Sequence, residues 1–170
     1  MPTVYRLTKR RYPVFDGSGA ALEGARWNSP GRVLIYASEH YATAILEKLV
    51  HAGRTRLPGA HHAASIDIPD DLTTELFDPR AAPGWETEDS ASARAYGDEW
   101  HASARTAVLI VPSLPGQPVE RNFIINPAHA DAARITVGPP FDIVWDGRLF
   151  GPPFLMRVEE PASSTAKDTE

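Results

Sequence analysis

The sequence predicts an α+β domain, on three observations. Short β-prone runs are scattered along the chain, and two stretches favour helix. A length of 170 residues without internal repeats suits one compact domain. With 42% hydrophobic and 23% charged residues, such a domain buries a core without help from metal or disulfides.

The elements follow in order. Thr3–Leu7 reads as a strand with Tyr5 and Leu7 on one face and Arg6 on the other. Asp16–Ala20 reads as a connecting loop, because no Gly-Lys-Ser/Thr follows it to make a phosphate cradle. Asn28-Ser29-Pro30-Gly31 is a turn, with proline presetting φ and glycine accepting positive φ after it. Val33–Tyr36 has the length and apolarity of a strand, and Ser38 is placed to cap the next helix. That helix is predicted from Glu39 to His51, with an apolar stripe at Ala42, Ile45, Leu46, Leu49 and Val50 and a stop at Gly53. Glu47 falls on its flank. Further strands are predicted at Ala64–Ile68 and Ala107–Val111, with shorter ones at Phe123–Ile125, Ile135–Val137 and Phe141–Val144. A second helix lies within Ser90–Ala104, anchored by Trp100. The domain is expected to span 1–158, and the polar residues 159–170 to form a frayed tail.

Several function classes are excluded. The chain has no cysteine, so disulfides, thiolate metal sites and cysteine nucleophiles are absent. A net charge of -5 opposes binding to a nucleic-acid backbone. Lys9, Arg10 and Arg11 still form a local basic run, either a solvated turn or a holder of an anionic ligand. No apolar run reaches membrane-span length and residues 1–11 lack the core of a secretion signal, so a cytoplasmic protein is expected. His61 and His62 are adjacent and point to opposite strand faces, and no His/Asp/Glu set has helical i, i+4 spacing; no metal is expected. No Gly-x-Ser-x-Gly elbow supports a serine hydrolase.

The informative stretch is Gly24-Ala25-Arg26-Trp27-Asn28-Ser29-Pro30-Gly31, then Tyr36-Ala37-Ser38, then Ala44-Ile45-Leu46-Glu47. It resembles the signature of the RES domain, the toxin partner in bacterial RES/Xre toxin–antitoxin modules. The resemblance continues in Tyr5-Arg6, Gly97-Asp98-Glu99-Trp100, Val111-Pro112-Ser113, Asn122–Pro127, Phe141-Asp142 and Arg148-Leu149, in that order. One departure is Ala25, where many members carry a second glycine. It matters only if that position needs positive φ.

The resemblance implies a fold like that of diphtheria-toxin-type ADP-ribosyltransferases and action on NAD as substrate. No cofactor would be held permanently. In every version the bond from ribose C1 to nicotinamide stretches, positive charge develops on the ribose, and neutral nicotinamide leaves. Such a step needs cations on the pyrophosphate, an aromatic face on nicotinamide and a carboxylate near the ribose. The resemblance assigns these to Arg26 and Arg6, to Tyr36 and to Glu47. Ser113 would hydrogen-bond the ribose or carboxamide, Asn122 would orient the substrate, and Lys9 would add charge near the phosphates. Structural alternatives stand beside each: a solvated charge for Glu47, a half-buried packing residue for Tyr36, a cation–π pair with Trp27 for Arg26, and a turn residue for Ser113. Trp27 is read as structural.

Three functions remain open. Water or inorganic phosphate could accept the ADP-ribose, destroying the NAD pool; a protein could accept it; or the chain could be a catalytically idle module that only holds its antitoxin. The partner implied is an Xre-type helix-turn-helix antitoxin, whose docking face the sequence does not locate.

Overall fold

A computed structural model describes residues 1–52 and 60–150. Gly53, residues 151–158 of the expected domain and the expected tail lie outside the described residues. In chain order the elements are β1 (Thr3–Lys9), α1 (Ser18–Glu23), β2 (Ile35–Ser38), α2 (Tyr41–Ala52), β3 (His61–Asp67), β4 (Thr74–Leu76), α3 (Ala91–Ser103), β5 (Val108–Pro112), β6 (Arg121–Ile125), β7 (Thr136–Val137) and β8 (Phe141–Asp142). The mixture of helix and strand matches the expected class. Two elements were not anticipated. α1 replaces a predicted loop, and β4 is a three-residue strand whose parallel pairing with β5 supplies what its length cannot.

The strands form one sheet in the order β4-β5-β6-β2-β1-β3-β7, with β8 also paired to β3. Every pairing except β4–β5 is antiparallel. The weakest seam is in the middle: β1 and β2 register at one pair, Tyr5↔Ser38, whereas β1 and β3 register along their whole length. Both faces are covered. Val108, Phe123, Ile125, Ile35 and Ile66 belong to one apolar cluster, and Leu109, Val111, Ile124, Trp100 and Trp27 to the other. Covering on both faces explains why β5 reads as an unbroken apolar run, not an alternating one.

α3 seals the second cluster against the 24–32 turn. A Cβ on Gly97 would lie 1.9 Å from the Trp27 carbonyl oxygen, so only glycine lets the helix come this close. One turn on, Trp100 is fully buried and its Nε1 donates to Thr106 Oγ1 at 2.9 Å. Between them Asp98 accepts from the Ser29 backbone N–H at 2.9 Å and from Ser29 Oγ at 2.6 Å. Trp27 is structural, as expected: it is buried and stacks beside Trp85, with Phe77 edge-on. The positive φ of the turn falls on Gly24 and Gly31, so Ala25 costs nothing.

The apolar stripe predicted for α2 is only partly its buried face: Ile45 and Leu49 are half-buried, Ala42, Leu46 and Val50 exposed. Thr43 and Ala44 are buried, while Leu46 is 40% and Val50 59% exposed. The helix is turned so that Glu47 and Lys48 are half-buried beside Ile45 and Leu49. No helix among the described residues is long and apolar enough to cross a membrane.

Candidate active site

Glu47 is held by one residue of the β5–β6 hairpin and one of β6, the latter ordered in turn by a residue of β2. Ser113 directly follows β5, and its backbone N–H donates to the Glu120 carbonyl at 2.9 Å, closing the β5–β6 hairpin. Its hydroxyl, fully buried, donates to Glu47 Oε1 at 2.7 Å. Asn122 on β6 faces Ser38 on β2 and Val111 on β5. Ser38 Oγ donates to Asn122 Oδ1 at 2.7 Å, which turns the amide so that Nδ2 donates to the same Glu47 oxygen at 2.6 Å. Ser38 is therefore the last residue of β2 and not the helix cap predicted for it. Oε2 of Glu47 takes no hydrogen bond among the described residues, so the carboxylate is fixed through one oxygen and open at the other.

Beside this chain of bonds, Glu120 Oε2 accepts from Thr43 Oγ1 at 2.5 Å and faces His40 Nδ1 at 2.8 Å. The Thr43 hydroxyl and the histidine hold the Glu120 carboxyl below its usual range, and hydrogen bonding to Glu120 raises His40. Ligand atoms of Glu39, His40 and Glu120 lie within 4.8 Å of one another, a grouping that tertiary structure creates without helical i, i+4 spacing.

The other predicted residues are placed differently. Arg6 lies at the weak seam of the sheet, where its Nη1 donates to the Tyr36 carbonyl at 2.9 Å and its Nη2 to the Asp16 carbonyl at 2.7 Å. The side chain thus does for β2 what a ladder bond would do. Burial pushes its pKa down to about 10, against the opposing charge of Asp16, and its buried Nε has no partner among the described residues. Tyr36 donates its hydroxyl to Asn28 Oδ1 at 2.6 Å, and burial pushes its pKa up. Asn28, fully buried, spends its Nδ2 on the Ala20 and Ser29 carbonyls at 2.8 and 3.0 Å. These bonds tie α1, the turn and β2 together. Arg26 Nη1 donates to the carbonyls of Trp85 and Thr87 at 2.9 and 2.8 Å and so clamps the 85–87 loop. Lys9 is exposed at the end of β1.

The structure thus joins Glu47, Ser113 and Asn122 directly. It joins Arg6 to Tyr36 through a backbone carbonyl, and gives Arg26 a separate set of partners. Sequence reasoning read Asn28 as a turn residue and Ser38 as a helix cap, and gave none of Asn28, Ser38 and Lys48 a place in the site. Asn28 and Ser38 stood inside the quoted motif, so their position was a usable signal. Lys48 had none: burial, then the charges of Arg6 and Lys9, lowers its pKa, and all three causes come from packing.

Comparison with known proteins bears on this arrangement. The RES domain family matches residues 3–146. The chain is 36% identical over 146 residues to the Prs ADP-ribosylating toxin of Sphingobium sp. (strain YBL2), covering 82% of this chain and 90% of the relative. It is 35% identical over 131 residues to toxin Res of Photorhabdus laumondii, covering 75% and 83%. In structure it is similar to a chain of the M. tuberculosis MbcT–MbcA toxin–antitoxin complex, with a TM-score of 0.68, 20% identity and 84% of each chain covered. That likeness concerns the fold: a mixed α/β domain around a curled sheet. A family match spanning nearly all described residues, with relatives covered over most of their length, shows that the chain belongs to the RES-domain family.

Proposed function

We propose that the chain is the toxin of a toxin–antitoxin pair and cleaves NAD at the nicotinamide–ribose bond, with Glu47 stabilising the charge that develops on the ribose. The single observation that carries this reading is the state of Glu47. Two donors pin one oxygen, and the other is left for a ribose hydroxyl or the oxocarbenium face. A carboxylate so oriented pays little reorganisation as positive charge appears.

The remaining roles follow from what each group has left to offer. Ser113 and Asn122 have given their donors to Glu47 and act as positioning residues. Arg6, whose Nε has no partner among the described residues, and Lys48, which feels its charge, supply cations for the pyrophosphate. Arg26 has committed Nη1 to two carbonyls, and its other N–H groups would meet a phosphate oxygen. Tyr36 offers its ring face to nicotinamide while its hydroxyl stays on Asn28. We read the fold as the ADP-ribosyltransferase type, on the family resemblance. The expected partner is an Xre-type antitoxin, and the expected compartment is the cytoplasm, where the NAD pool is.

Our reading takes water or inorganic phosphate as acceptor. A second reading, transfer of ADP-ribose to a protein, is favoured by the name of the Sphingobium relative. NAD turnover by the purified chain, followed by NMR with and without phosphate, tests both. Release of nicotinamide is expected, falling by roughly 100-fold or more in Glu47→Gln. Phosphate-dependent product would mean phosphorolysis, and free ADP-ribose hydrolysis. A folded chain that binds NAD without turning it over points to a protein acceptor or to an idle module. Turnover undiminished in Glu47→Gln, or no binding of NAD, would sink the proposal.

A further inference from the structure

A concavity bordered by basic residues lies at the C-terminal end of β1. Its volume is about 380 Å³ and it is lined by Lys9, Arg10, Arg11, Ala60 and His61. Three consecutive cations seldom share one small cavity, since each raises the electrostatic cost of the next. Here the backbone forces the arrangement. β1 ends at Lys9, the Tyr12 N–H turns back to the Lys9 carbonyl at 2.9 Å, and the Arg10 N–H donates to the Ala60 carbonyl at 3.0 Å.

The three cations are held differently. Arg10 is paired with Asp142. The Arg11 guanidinium lies over the Tyr12 ring, 4.8 Å from its centroid, which orients it without neutralising it. Lys9 and Arg11 form no ion pair among the described residues, and none of the described lining residues is a carboxylate. Burial, and then the charges of Arg6 and Lys9 that both reach it, lower the pKa of Lys48 on α2. The whole chain carries a net charge of -5, so this concentration of cations runs against its composition.

We propose that this cavity binds a phosphomonoester dianion, with Lys9 and Arg11 as the donors that carry the charge and Arg10, tied to Asp142, as a fixed wall. Two unneutralised cations match two negative charges, and no described lining residue carries a carboxylate to repel them. A pyrophosphate diester near Arg6 would leave this site free. Two sources supply the chemistry: inorganic phosphate, or the 2′-phosphate of a phosphorylated dinucleotide. Only the second source rests on the NAD reading given above.

The test uses the full chain carrying Glu47→Gln, which removes turnover and lies outside the cavity. Calorimetric titration with inorganic phosphate and with 2′-AMP is expected to show saturable binding at one site. Lys9→Gln and Arg11→Gln should each weaken it about tenfold, and Arg80→Gln, an exposed cation elsewhere, should leave it unchanged. If the dinucleotide is the source, NADP binds more tightly than NAD and the preference disappears in the Lys9→Gln/Arg11→Gln double variant. Equal affinities with phosphate binding intact assign the site to free phosphate. Absence of saturable binding by a folded chain, or binding that survives the double variant, overturns the proposal. Neither result depends on whether NAD is cleaved.

Discussion

The two ends of the Gly24–Glu47 stretch are anchored by different kinds of bond. At its end, Glu47 is held by side chains: a serine hydroxyl and an asparagine amide, themselves ordered by Ser38. At its start, Arg26 is held by backbone carbonyls of the 85–87 loop, and Tyr36 by the buried hub Asn28. Side-chain donors can be removed one at a time without disturbing the ladder that carries them. Backbone acceptors cannot, and losing their partner leaves them unsatisfied. The Glu47 end is therefore where chemistry separates from stability, and the Arg26 end is where the two are mixed.

The sharpest way to break that contrast is to free Glu47 from its donors. Ser113→Ala combined with Asn122→Ala should lower kcat by about 10- to 100-fold with KM little changed, since what is lost is orientation of a carboxylate that still exists. A rise in KM at constant kcat would mean instead that these residues hold substrate. The other end should respond in the opposite currency. Arg26→Gln removes a charge-assisted partner from two carbonyls that are only partly buried, and should cost about 1–2 kcal/mol, read as a fall of several degrees in Tm. An unchanged Tm with activity abolished would move Arg26 from the scaffold to the substrate.

The smallest effect sharpens the picture beside Glu47. His40 hydrogen-bonds Glu120 at the surface, and its folded pKa is raised while that of Glu120 is lowered. The pair's contribution is therefore present below the usual histidine value and lost as pH rises through the raised one. On the acid side it is lost as pH falls through the lowered value of Glu120. An NMR titration should place His40 above 6.5, and Glu120→Gln should return it there. No response to that substitution would show the pair to be unformed in solution.

Much of this molecule was legible in the order of its residues. The positions of β1, β5, β6 and α3 follow from apolar runs and alanine content, because sheet and helix periodicities leave their mark on contiguous residues. The Pro30-Gly31 turn is written in φ preferences that no packing overrides. Resemblance to the RES-domain signature brought Glu47, Ser113 and Asn122 forward as candidates, and the fold joins them. What periodicity could not foresee is contact between distant segments. Ser38 looked like a helix cap because a hydroxyl before a helix usually is one, yet β6 offered it a better partner in Asn122. α2 carried a plausible apolar stripe, and the fold kept Ile45 and Leu49 half-buried but shifted the face, leaving Leu46 and Val50 outside and drawing Lys48 in. α1 has six residues, too few to persist by propensity alone, and exists because Asn28 and Gly31 bond its carbonyls. Local sequence determined which segments could be strand or helix and which residues could do chemistry. Tertiary structure alone decided which donors are already spent, because a hydrogen bond to a residue 60 or more positions away has no local signature.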